Sequence, residues 1–294
     1  MQRKWERDWG LQARMLFTMF LLAVVYLFFL TFLWYNGTQP TFILLFVGLF
    51  MAIQYFYSDK LVLLSTGAHV VSESEAPQLH GIITRLCAIA DLPKPQVAIV
   101  NSNVPNAFAT GRNQGKAIVA VTTGILDKLN SAELEAVLAH ELSHVKNRDM
   151  AVMTIASFIS TLAFFLVRNS LYFGYMGGDR RREGGAFILV WLVSIAVWVV
   201  SFVLIRALSR YREYAADRGS AIITGQPSVL ASALMKISGV MDRVPSKDLR
   251  SMEGMNAFFT VPALSGSSIM DIFSTHPSVE KRIARLERMQ QEMS

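Results

Sequence analysis

The sequence predicts a mainly α membrane protein: four hydrophobic helices in two hairpins, joined to an α+β polar domain with a small sheet. Three observations carry this prediction. Of the 294 residues, 52% are hydrophobic and only 17% charged, a balance too apolar for an ordinary soluble globule. Asp, Glu, Lys and Arg are missing from residues 15–58, and again from 150–167 and 184–205. Between and after these runs, polar stretches mix helical periodicity with short strand-like segments.

Residues 1–14 (MQRKWERDWGLQAR) are basic and precede an apolar run longer than a signal-peptide core, so they read as the cytoplasmic N-terminus of an uncleaved anchor. Residues 15–58 form the first hairpin. Its first arm, 15–35, has the roughly 20 residues that cross a hydrocarbon layer, the turn-like NGTQP follows at 36–40, and the second arm, 41–57, is near the short limit. Residues 59–149 begin the polar domain. There PQLHGIITRLCAIADL (77–92) repeats apolar side chains at helical spacing with Pro77 in a first turn, while QVAIV, NSNVPNAFAT and KAIVAVTT read as short strands around the turn GRNQG. The stretch LNSAELEAVLAHELSHVKN is a strong helix, with Asn130 and Glu133 as a capping box and Leu134, Val137, Leu138, Leu142 and Val145 as an apolar stripe. It is expected to run on, with a bend, into the second hairpin, residues 150–205. Residues 206–294 complete the polar domain.

The net charge of +6 is spread as flanking charge on membrane segments, without a basic run interleaved with aromatics, so a nucleic-acid partner is excluded. The positive-inside tendency puts the N-terminus and both polar parts in the cytoplasm. The loop 168–185, with Arg168, Arg180, Arg181 and Arg182, opposes full crossing by the second hairpin, yet in either arrangement its two ends emerge on one face. Cys87, the single cysteine, sits in an apolar setting and reads as a small buried side chain. His69 and His80 match no motif.

AHELSH, residues 139–144, carries the chemistry. His140 and His144 are four apart on the capped helix, so their imidazoles project side by side and can share one zinc ion at roughly 2.0–2.1 Å. Glu141 lies about 100° round the helix, where a carboxylate can take a proton from an activated water. A catalytic zinc needs a third protein ligand and an open position. A metzincin pattern would need glycine at 147 and histidine at 150, which here are Asn147 and Met150. In the thermolysin-like plan the third ligand is a glutamate on a later helix; Glu183 lies in the far loop of the hairpin, and Glu213 follows the fourth apolar run on the right side. His144 and Glu213 stand about 9 and 12 Å from the ends of their membrane segments, at matching heights. Asp217, one turn beyond Glu213, is placed to accept the second imidazole proton of a ligand histidine. The polar domain is thus expected to be a zincin-like α+β catalytic domain holding one Zn2+ per chain.

AHELSH, REYAAD, NAFATG and THPSVEKRI, in this order around two hydrophobic hairpins, resemble the HtpX family of integral-membrane zinc metallopeptidases, relatives of the CAAX prenyl endopeptidases. The resemblance covers nearly the whole chain. It implies that His140, His144 and Glu213 bind zinc and that Glu141 is the general base. It further implies that Asn106, Ala107 and Phe108 lie on an edge where an extended substrate pairs as an added strand, and that His276 and Arg282 line the cleft as donors to the developing oxyanion. The implied function is a membrane-embedded endopeptidase in the bacterial inner membrane, cleaving misfolded or damaged membrane proteins on the cytoplasmic side under stress. Its partners are then protein or peptide substrates and the lipid bilayer, with the oligomeric state open. A prenyl-type endopeptidase ranks second, because four spans do not by themselves form a large chamber. A scaffold with structural zinc is disfavoured by having only three good ligands, and a transporter by the uncharged apolar runs.

Overall fold

The computed structural model describes residues 8–36, 40–176, 184–241 and 277–293. Within them the chain is mainly helical with one small mixed sheet. Helix α1 (Trp9–Tyr35) starts at Asp8, whose carboxylate accepts the Leu11 backbone N–H at 2.9 Å and sits favourably at the positive end of the helix dipole. Helix α2 (Pro40–Thr66) does not stop where its apolar run ends at Ser58 but continues for two more turns. Those turns seat Val62 on the sheet.

Four strands follow in the order β1–β2–β4–β3: β1 (His69–Val70), β2 (Gln96–Val100), β3 (Ala107–Thr110) and β4 (Ile118–Thr122). β2 and β4 are parallel, with Val97 opposite Val119, and the outer pairs are antiparallel, with Phe108 opposite Ala120. The period of two divides the side chains cleanly. Val97, Val119 and Val121 face the main core, while Ala98, Val100 and Ala120 face the end of α2. Strand β1 was not foreseen, since two residues are too short to show an alternation. Helices α3 (Pro77–Ala90) and α4 (Thr123–Lys128) flank the sheet, and α5 (Ser131–Lys146) lies in the centre of the main core with α8 (Pro227–Met241) and α9 (Val279–Met293) around it. The capping box of Asn130 and Glu133 is formed, and the same Glu133 accepts from Ser232 at 2.8 Å and from Lys236 at 2.7 Å, locking the start of α5 to α8. His80 and Cys87 are structural: the His80 ring meets the Val71 carbonyl at 3.0 Å, and burial pushes the Cys87 thiol up to about 11.

The expected bend after α5 is a full break. Asn147 ends the helix, Arg148 takes a left-handed φ of 55°, and α6 (Asp149–Met176) starts directly after it. Helix α7 (Gly184–Thr224) is 41 residues long, about 60 Å, twice the thickness of a hydrocarbon layer. Its polar end joins the main core through Ala221 and Ile223. α1, α6 and α7 pack together through Phe29, Leu33, Ala163 and Val197, and through Leu22, Ala156 and Leu208, with the Tyr26 hydroxyl donating to the Ala156 carbonyl. The alanines let the helices approach closely. Outward, Leu16, Phe17, Phe20 and Leu27 of α1 and Leu189 and Leu192 of α7 are half or more exposed. Among the described residues, Trp9–Tyr35 and Ile188–Thr224 are long and apolar enough to cross a membrane. His276 and the run Arg180 to Arg182 lie outside the described residues.

Candidate metal centre

Helix α5 presents His140 and His144 one turn apart, both buried, with ring centroids 4.8 Å apart and planes at 89°. Their Nε2 atoms point at each other across 3.2 Å. Glu213 comes from α7 to close the triangle: one carboxylate oxygen is 3.5 Å from His140 Nε2 and the other 3.4 Å from His144 Nε2. These three residues are a cluster able to hold a metal ion.

Each imidazole is gripped from behind. Asp217 Oδ1, one turn along α7 from Glu213, lies 3.0 Å from His140 Nδ1, and Asp149 Oδ2 lies 2.6 Å from His144 Nδ1. Carboxylates at both Nδ1 atoms hold the protons there and leave the Nε2 lone pairs facing inward. Each carboxylate in turn meets a guanidinium. Arg282 of α9, only 1% exposed, donates to both oxygens of Asp217 at 2.9 and 2.6 Å and places its remaining nitrogen 3.4 Å from Glu213. Arg212 Nε lies 3.2 Å from Asp149 Oδ1.

This arrangement fits a metal ion. Two ligand atoms at 2.0–2.1 Å from a tetrahedral ion stand about 3.3–3.4 Å apart; the two Nε2 atoms are 3.2 Å apart, and Glu213 meets each ring with a different oxygen, at 3.5 and 3.4 Å. Glu141, Asp149, Glu213 and Asp217 are four buried acids against two buried guanidinium groups, Arg212 and Arg282. With neutral imidazoles and all four acids ionised the cluster carries two negative charges in excess, which one divalent ion would balance. Without metal, protons do the same work. Burial lowers the His144 pKa, but hydrogen bonds to Asp149 and Glu213 outweigh it and push the group up to about 10. Burial likewise opposes, and Asp217 and Glu213 prevail, in raising His140.

Glu141 lies on the same helix, 4% exposed, and burial raises its pKa above the usual carboxylate range. Asn106, Ala107 and Phe108 are buried at and beside the start of β3, the last strand of the sheet, and the Thr122 hydroxyl accepts the Asn106 N–H at 2.8 Å. Asp149 and Arg212 were not singled out from the sequence. The only local signal was an acid five residues after the second histidine, which the expectation of a near-continuous helix directed away from the ring.

The sequence profile of peptidase family M48 matches residues 73–290, a span containing every group just described. The chain belongs to peptidase family M48. It is a metallopeptidase similar to HtpX proteases. The M48 chain is 80% identical over its full length to a relative named protease HtpX homolog 2 of Methanosarcina acetivorans, which it covers completely. It is also 59% identical to a protease HtpX homolog of Moorella thermoacetica, covering all of this chain and 99% of the relative. Among solved structures, S. mikatae Ste24p shares the fold with a TM-score of 0.57 at 17% identity, over 95% of this M48 chain and 67% of that one.

Proposed function

We propose that the chain is a zinc-dependent endopeptidase of the plasma membrane, with four spans in two hairpins, residues 15–58 and 150–205, and its catalytic parts, 59–149 and 206–294, facing the cytoplasm. The observation that carries this reading is the buried triangle of His140, His144 and Glu213, with a carboxylate on the intervening turn. The donor set of two imidazoles and a carboxylate suits a catalytic zinc, whose fourth position goes to water or substrate. The exposed leucine and phenylalanine faces of α1 and α7 need an apolar surrounding, which a bilayer supplies. A site about two turns beyond the apolar runs suits segments emerging from the bilayer, hence misfolded or damaged membrane proteins as substrates. Relatives named protease HtpX homolog come from Methanosarcina and Moorella alike, so the compartment is proposed as the plasma membrane, of which the bacterial inner membrane is one case.

When bound, zinc supplies a Lewis acid that polarises the scissile carbonyl and acidifies a water. Glu141, its affinity for protons raised by burial, takes a proton from the attacking water and delivers it to the leaving amine. Asp149 and Asp217 keep the imidazoles in the ligating tautomer. Asn106, Ala107 and Phe108 line the path of an extended substrate beside β3. Arg282 offsets the negative charge of Glu213 and Asp217, and a role for Arg282 and His276 as donors to the developing oxyanion is part of the same proposal. The deciding test is digestion of casein by the purified chain with and without a zinc chelator, beside Glu141→Gln. Chelator-sensitive cleavage by the parent, and zinc binding without cleavage by the variant, is the expected result; an equally fast variant overturns the role of Glu141.

A further inference from the structure

Beside the metal triangle lies a cavity of about 400 Å³, with His144 in its wall. Its other sides are the loop between β3 and β4, the turn between α5 and α6, and Tyr55 of α2. The loop wall is built rather than incidental. Gly111 has a φ of 128°, and a Cβ there would stand 2.4 Å from the Lys116 carbonyl oxygen, so only glycine allows the turn. Gln114 then ties the loop to the end of α5 by donating to the Lys146 carbonyl at 3.0 Å.

Two guanidinium-bearing residues line this cavity, Arg112 from the loop and Arg148 from the turn, and no Asp or Glu does. Arg112 lies over the Phe56 ring at 5.5 Å, and neither arginine has a carboxylate partner among the described residues. This sets them apart from Arg212 and Arg282, both ion-paired. Arg148 also occupies a left-handed conformation that asparagine or glycine would adopt at less cost, of the order of 1 kcal/mol. An exposed arginine with a strained backbone at the edge of a cavity that a metal ligand also lines points to use of its side chain.

We infer that this cavity is a substrate subsite selecting an acidic residue, Asp or Glu, close to the scissile bond, with Arg112 and Arg148 as its carboxylate-binding pair. The inference rests on the peptidase reading and refines it from peptides in general to peptides with a side-chain carboxylate at one position. A guanidinium fork recognises a carboxylate through paired N–H donors, whereas an amide of the same shape satisfies it less well and an ammonium is repelled. Tyr55 and Met150 supply apolar rim against the side-chain methylenes.

The test uses the full zinc-loaded chain and internally quenched peptides with both ends blocked, carrying Glu, Gln or Lys at each of three positions either side of the cleaved bond. At one position kcat/KM for Glu is expected to exceed that for Gln by about tenfold, with Lys lowest. R112Q and R148N, the latter suited to positive φ, narrow the Glu to Gln ratio toward one, and R112E/R148E inverts the order in favour of Lys. Binding of the same peptides, fluorescently labelled, to the Glu141→Gln chain reports the subsite independently of cleavage and is expected to follow the same order. No preference at any position, or a preference that survives R112E/R148E, overturns the subsite. Glu-selective binding to the Glu141→Gln chain with no cleavage by the parent leaves the subsite standing and removes the peptidase reading; absence of both removes both.

Discussion

Asp149→Asn isolates the carboxylate behind His144. The side chain keeps its shape but loses its charge, so the 2.6 Å contact to Nδ1 changes from a charge-assisted hydrogen bond to a neutral one. Arg212, 9% exposed, loses its anion at the same time. A hydrogen bond to a charged group contributes about 1.5–3 kcal/mol against about 0.5–1.5 for a neutral one, and with about 1.4 kcal/mol per factor of ten the difference of about 1–1.5 kcal/mol corresponds to a metal affinity weakened by about 5- to 12-fold. Because the loss falls on the orientation of a ligand, it is expected in Kd more than in the turnover of fully loaded protein. The assay is competitive zinc titration of the full chain against a chromophoric chelator, with the unfolding midpoint of the metal-free protein measured in parallel to separate the lost ion pair with Arg212. Zinc binding by Asp149→Asn within twofold of the parent would refute the reasoning that this residue sets the His144 lone pair.

The metal displaces protons, since His144 titrates at about 10 in the metal-free fold and His140 is raised as well; near pH 7 zinc uptake is expected to release roughly one to two protons, read by calorimetry in buffers of different ionisation enthalpy. The same raised group stabilises the metal-free fold fully below its unfolded value near 6.5 and loses that contribution as pH rises through about 10, so zinc affinity climbs over this window; flat affinity there contradicts the assignment. Arg282→Met leaves Asp217 buried beside Glu213 without its cation and is expected to lower stability by about 3–5 kcal/mol in denaturant titration, with Arg282→Lys recovering part; a loss under 1 kcal/mol is inconsistent with the bidentate pair. In a Cys87→Ser background, an impermeant maleimide should reach Asn36→Cys from outside the cell and Ser74→Cys only after permeabilisation; the reverse pattern removes the cytoplasmic placement.

Much of the helix content was written locally. The capping box at Asn130 and Glu133 and the four-residue spacing of His140 and His144 depend only on contacts within a turn or two, and QVAIV and KAIVAVTT are short apolar, valine- and isoleucine-rich runs set around a turn. Where an element ends is less local. α2 continues past its apolar run because Val62 finds the outer face of the sheet, a surface made by residues from 96 onward. The break at Arg148 had no glycine to announce it.

By itself, then, the chain's order of residues dictated the apolar runs, the paired imidazoles and the choice of Glu213 by elimination, since periodicity and spacing act within a single element. Only tertiary packing decided that Asp149 turns back onto His144 and that Arg282, on a helix whose charges look solvated, is sealed against Asp217 some 65 positions away. The physical reason is burial. A charge's partner is selected by which helices exclude water together, and that is settled when α5, α6, α7 and α9 meet, not by the residues beside it in the chain.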